Sequence, residues 1–174
     1  GFDGRLYFNQ SIYIHSHAET PNGVVRLNSG GVWRLRPGPL NLEVFLRGFC
    51  NPWGHAFDAF GESFVTDGAG GQGINFGVLG ATYFTYADMR RELKSISPGS
   101  YPKFCGLEII RSEHFPKDWQ GNAITCDHFP SVVAASVTIM RSGKGARSRS
   151  IARCAHDSPV ATKAITATTS TPMP

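Results

Sequence analysis

Short runs of alternating apolar and polar residues, separated by Gly, Pro and Asn, fill the first 129 positions of the chain. That pattern predicts an all-β fold built from short strands. Arg5–Asn9 and Ser11–His15 are rich in aromatic and β-branched residues and read as strands. Val24–Leu27, Val32–Arg36 and Leu42–Leu46 follow, with Asn28-Ser29-Gly30-Gly31 and Pro37-Gly38-Pro39 as turns. In Val32–Arg36 the arginines alternate with apolar residues, the period of a half-buried strand. His55–Phe57, Ser63–Asp67, Leu107–Ile110 and Asn122–Asp127 complete the predicted strands. Thr85–Ile96 reads as the one helix, since Met89, Leu93 and Ile96 fall on one helical face ahead of Ser97-Pro98-Gly99.

A repeat runs through these strands. Gly4, Gly61 and Gly121 each follow a turn and lead a strand that ends in Asn or Asp, at spacings of 57 and 60 residues. A further pair of strands, from Gly54 and from Gly106, precedes the second and third of them. Short strands on a long fixed repeat indicate a solenoid or a propeller. Two to three such units fit before Asp127, whereas a closed propeller takes roughly 4–8 blades. The opening Gly1-Phe2-Asp3-Gly4 reads as a turn within a domain. The expected fold is therefore a partial β-propeller over residues 1–129.

Composition changes the picture at one point. All 20 aromatic residues lie at or before Phe129, and 18 of 20 glycines lie there too. The first 129 residues carry a net charge of −1, while residues 130–174 carry +5, with Asp157 as their one acidic residue. The overall excess of +4 thus belongs to the tail and gives no nucleic-acid footprint on the body. Residues 130–174 show no strand or helix period, and Thr166–Pro174 resembles a linker. A disordered basic tail and an out-of-frame end both account for this segment. No apolar run reaches the roughly 18 residues a membrane helix needs.

Four cysteines, at 50, 105, 126 and 154, form no CxxC and no CxxCH, which leaves no haem attachment site. Isolated cysteines of this kind read as buried or half-buried thiols, though spacing alone leaves pairing open. The glycine-rich stretch after Asp67 lacks the GK[ST] ending of a phosphate cradle. His15, His17 and Glu19 fall on one face if their strand continues. Such a row suits a Zn²⁺ or Fe²⁺ site or a general base, or a hydrogen-bonded channel lining. Glu108 and Asp118-Trp119-Gln120 read as residues that fix turns between repeats.

An ordered series of motifs resembles a known family. GRLYFNQSIYIHSHAETPNGVVR, GGVWRLRP, GFCNPWGHAFD, TDGAGGQGINF, FCGLEIIRSEHFPKDWQGN and ITCD are similar to the N-terminal propeller of the membrane-bound dehydrogenases of planctomycete-type bacteria. That family looks like a branch of the glucose/sorbosone quinoprotein dehydrogenase superfamily. The resemblance covers nearly all of the first 127 residues and ends where the composition breaks. It implies a six-bladed propeller outside the cytoplasm, oxidising a sugar or alcohol with pyrroloquinoline quinone and calcium. A cytochrome c-type protein would take the electrons.

The resemblance also implies site residues. Gly48–His55 is similar to a quinone-contacting strand entry, which nominates Asn51, Trp53 and His55 as cofactor-binding residues, with Cys50 standing where the pattern has Arg. The stretch from Thr66 is similar to a calcium-holding loop and nominates Asp67, Gly68 and Ala69. His15, His17 and Glu19 are the catalytic candidates, although the family's base precedes the strand with which this chain begins.

Overall fold

A computed structural model describes residues 1–68, 73–83, 104–127, 134–139 and 147–152. The backbone is all-β. Its strands are β1 (Leu6–Gln10), β2 (His15–Thr20), β3 (Gly23–Asn28), β4 (Gly31–Arg36), β5 (Asn41–Arg47) and β6 (Pro52–Phe57). There follow β7 (Ser63–Asp67), β8 (Ile74–Phe76), β9 (Phe104–Ile109), β10 (Ala123–Asp127), β11 (Ala134–Ile139) and β12 (Arg147–Ala152). All pair antiparallel, in the sheets β1-β4-β5, β2-β3, β6-β7-β8 and β9-β10-β11-β12. Among the described residues the one helical segment is a short 3₁₀ turn at Lys117–Trp119. The helix expected over Thr85–Ile96 lies outside the described residues.

Three of the sheets form successive layers. Val32, Phe45, Leu46 and Phe49 of the first layer close on Val65 of the second, with Tyr83 completing the cluster. Ala56, Phe64 and Ile74 on the far side of the second layer close on Leu107, Ile109 and Ala123 of the third. Strand alternation makes this possible, because successive residues of β7 serve opposite neighbours. Phe64 points to the third layer and Val65 to the first.

The glycine repeat is visible in the backbone. Gly4, Gly61 and Gly121 adopt φ of 72°, 84° and 75°, and no atom lies within 4 Å of a Cβ placed on any of them. Glycine is needed there for its left-handed backbone, not for space. Each launches an equivalent strand: β1, β7 and β10. Aligned on these glycines, Leu6, Ser63 and Ala123 are equivalent, as are Tyr7, Phe64 and Ile124, and Phe8, Val65 and Thr125.

The sheet β2-β3 is a hairpin inserted between β1 and β4, and Gln10 holds its base. The buried Gln10 Nε2 lies 3.0 Å from the carbonyls of Ile14 and Leu27 and 2.7 Å from that of Ser29. Its Oε1 accepts from Ser16 Oγ at 2.6 Å and Trp33 Nε1 at 3.0 Å. This arrangement corrects the strand expected over Ser11–His15. The chain turns there instead, Ile14 N–H donating to the Ser11 carbonyl, and the strand begins at His15. Aromatic and β-branched content misled the pattern, because Gln10 draws the Ile14 carbonyl into its own network.

Two further differences appear. Ile74–Phe76, to which the pattern assigns no element, forms the edge strand β8. Ala134–Ile139 and Arg147–Ala152, where the pattern shows no strand period, extend the third layer as β11 and β12. Thr166–Pro174 lies outside the described residues.

Candidate functional site

A cavity of about 400 Å³ opens between the first and second layers. One wall comes from a cross-strand row. Tyr7 on β1 pairs with Arg34 on β4, and Arg34 pairs with Glu43 on β5, so the three side chains sit side by side. A bulge between Val32 and Trp33 gives β5 one extra residue, Phe45, which joins this wall. Phe57, Glu62, Ser63 and Phe76 from the second layer form the opposite wall, and Phe2 and Asp3 close one end.

The polar groups of this cavity are held in place. Arg34 Nε lies 2.8 Å from Glu43 Oε1, and its guanidinium carbon sits 5.6 Å from the centre of the Phe45 ring. Burial opposes its charge, but Glu43 and Tyr7 as hydrogen-bond partners outweigh burial and raise the Arg34 pKa. Arg34 is a fixed cation. The Tyr7 hydroxyl donates to Asp3 Oδ2 at 2.9 Å, and the Arg5 N–H donates to Asp3 Oδ1 at 3.1 Å. Burial works to raise the Asp3 pKa; the bonds from Tyr7 and Arg5 and the nearby positive charges prevail and lower it. Burial, then the Asp3 bond, pushes the Tyr7 phenol up.

Beneath the cavity floor His55 Nε2 and Ser63 Oγ are 2.7 Å apart. The His55 ring packs among Tyr7, Phe45 and Phe57, with centroids 5.1, 5.7 and 4.8 Å away. Burial first, and the N-terminal ammonium second, lower its pKa to about 4. His55 is therefore neutral at physiological pH. Its Nδ1 is buried without a hydrogen-bond partner. Among the residues nominated from the sequence, His55 alone reaches this cavity, through Ser63.

Asn51, Trp53, Asp67 and Gly68 come together elsewhere, at the start of the β6–β7 ladder. The fully buried Asp67 carboxylate accepts the N–H groups of Cys50 at 3.1 Å and Asn51 at 2.8 Å. Gly68 N–H donates to the Asn51 carbonyl at 2.7 Å. The Trp53 ring lies against Gly68, and Asn51 Oδ1 accepts from Ser11 Oγ at 2.7 Å. Ala69 lies outside the described residues. Burial, and secondarily the Asp67 charge, raise the Cys50 thiol pKa.

The backbone of this turn has little to offer a quinone carboxylate. A quinone carboxylate needs a cation or free N–H donors. Position 50 offers a neutral thiol, and both backbone N–H groups are spent on the Asp67 carboxylate, whose negative charge would repel the ligand. Asp67 acts as a brace between β6 and β7, which its place in the sequence could not reveal.

The β2 strand does continue, so His15, His17 and Glu19 share its exposed face. Arg26, opposite on β3, donates from Nε to His17 Nδ1 at 3.0 Å. In that pair His17 carries its proton on Nε2, 3.6 Å from Glu19 Oε1. Arg26 and Glu19 thus flank the His17 ring on its two nitrogen edges. No group of three or more His, Cys, Asp or Glu side chains suited to a metal occurs among the described residues. Cys50 is a free thiol.

Comparison of the chain with known protein families, curated proteins and solved structures finds no match. Among the described residues no helix is long and apolar enough to cross a membrane. Sequence reasoning missed Tyr7, Arg34, Phe45, Glu62 and Ser63, which come from four strands and a turn. The one signal for them was the arginine alternation in β4, which places Arg34 and Arg36 on one face.

Proposed function

We propose that the chain is a section of a β-propeller that binds a sugar or similar polyol in the cavity between its first two sheets. The propeller reading rests on three antiparallel sheets stacked in chain order through equivalent positions of one repeat. The cavity carries the binding reading. Its size falls in the range of about 300–1,000 Å³ that holds small ligands. Phe45, Phe57 and Phe76 give flat apolar surfaces for the C–H faces of a sugar ring. Arg34 and Asp3 give held donors and acceptors for its hydroxyls, and Glu62 lines the cavity as a further acceptor.

Sugars and alcohols are also the substrates of the dehydrogenases the sequence resembles. The redox step is left out of this reading, because the Cys50 thiol and the backbone donors taken by Asp67 lend it no support. The cytochrome partner and extracytoplasmic setting rest on that resemblance alone. Calorimetric titration with a panel of hexoses and alditols tests the reading. Saturable binding, weakened at least tenfold in Arg34→Ala and Phe57→Ala variants that still unfold cooperatively, supports it. No binding across the panel sinks it. Saturable uptake of the quinone with calcium would restore the dehydrogenase reading instead.

A further inference from the structure

The residue after each repeat glycine leads into its strand, and in two of the three layers its side chain closes back on the turn it leaves. Arg5 Nη1 donates to Asp3 Oδ2 at 3.4 Å, and Asn122 Nδ2 donates to the Asp118 carbonyl at 3.1 Å. Glu62 is the equivalent residue of the second layer. Its backbone is fixed by a similar turn: the Glu62 N–H donates to Asp58 Oδ1 at 2.9 Å, and the Glu62 carbonyl accepts from the Asp58 N–H at 3.0 Å. A carboxylate has no proton to give to the acceptors of that turn, so it cannot close back as Arg5 and Asn122 do. The Glu62 side chain is exposed and lines the cavity instead.

The other two charges of the lining have partners within the protein. Arg34 holds Glu43 at 2.8 Å, and Asp3 has Arg5 beside it at 3.4 Å. Among the described residues Glu62 forms no ion pair. The cavity therefore keeps one uncompensated negative charge, on the wall that Phe57 and Phe76 also form. Aromatic faces attract a cation in their own right. We propose that the ligand of this cavity is an amino sugar, its ammonium group at Glu62 and its hydroxyls toward Arg34 on the facing wall. The proposal rests on the reading of the cavity as a sugar site and narrows it. An acidic sugar is disfavoured, because Glu43 holds the Arg34 guanidinium while Asp3 and Glu62 both repel a carboxylate. A neutral sugar leaves the Glu62 charge unanswered.

The test is calorimetric titration of the full chain with glucosamine, N-acetylglucosamine, glucose and gluconate at neutral pH. Glucosamine should bind about tenfold more tightly than glucose or N-acetylglucosamine, the combined effect of one exposed ion pair and neighbouring ring faces. Gluconate should bind more weakly than glucose, and the preference for glucosamine should shrink as salt is raised. Glu62→Gln, a change of an exposed side chain that folding tolerates, should bring glucosamine level with N-acetylglucosamine. Equal binding of glucosamine and glucose by the parent chain overturns the proposal and leaves the sugar site standing. So does a preference that survives Glu62→Gln. If ethanolamine binds as tightly as glucosamine while glucose does not bind, the ammonium subsite stands and the sugar reading falls. Binding of none of these probes overturns both.

Discussion

Gly54 and Gly106 meet across the boundary between the second and third layers, so closely that a Cβ on Gly54 would lie 2.4 Å from the Gly106 carbonyl carbon. They are also equivalent residues, each near the start of the strand that precedes a repeat glycine. The backbones touch because Gly54 has no side chain there; a Cβ on Gly106 would meet nothing within 4 Å. Gly54→Ala must push the layers apart and should cost about 1–3 kcal/mol by overpacking. Gly61→Ala meets open space and should cost only about 1 kcal/mol, for the left-handed backbone. Urea unfolding of the two variants checks the order; equal losses would refute the close-packed interface.

The Gln10 amide ties three carbonyls of the hairpin to Trp33. Replacement by Leu leaves those groups without their partner in a buried site, at about 1–3 kcal/mol for each buried group left unsatisfied. The expected result is a loss of about 3 kcal/mol in denaturant unfolding. Amide exchange should accelerate first in β2 and β3 and leave β9 and β10 slow.

Asp67 accepts two consecutive N–H groups with one carboxylate. Asp67→Asn keeps the shape but removes one acceptor and the charge, which should cost about 1.5–3 kcal/mol. If the carboxylate instead served a bound cation, calcium would stabilise the parent chain and not the variant. A melting series with and without calcium separates these outcomes, and no calcium shift in either is expected.

His55 predicts a pH dependence. Its folded pKa of about 4 lies below the ordinary 6.5, so the unfolded chain takes up the proton first as pH falls. Stability from this group is complete above pH 6.5, declines below it, and is lost by pH 4, a total on the order of 3 kcal/mol. His55→Phe should flatten the profile in that window. A His55 ring that titrates near 6.5 by NMR would contradict the burial described here.

Much of the fold was legible because one face of each strand is buried. The alternation in Val32–Arg36 and the β-rich run in Arg5–Asn9 placed β4 and β1 within a residue or two, and Gly4, Gly61 and Gly121 marked the repeat. The hairpin start was not legible, since a glutamine side chain, and not local propensity, decides where the chain turns. The cavity was hidden for another reason. Tyr7, Arg34 and Glu43 become neighbours through strand register, and Phe45 joins them through a bulge, neither of which leaves a motif. At the turn that resembled a cofactor site, no motif announced that the Asp67 carboxylate takes the backbone donors of Cys50 and Asn51.

The inserted hairpin has a consequence for how the chain reaches this state. It leaves β1 and returns as β4 to pair with it, so each sheet is built from strands close in sequence. Only the boundaries between layers join distant residues. Such a molecule is wired sheet by sheet along the chain. Each sheet can mature before the next is complete, with stability propagating from neighbour to neighbour as in a linear array.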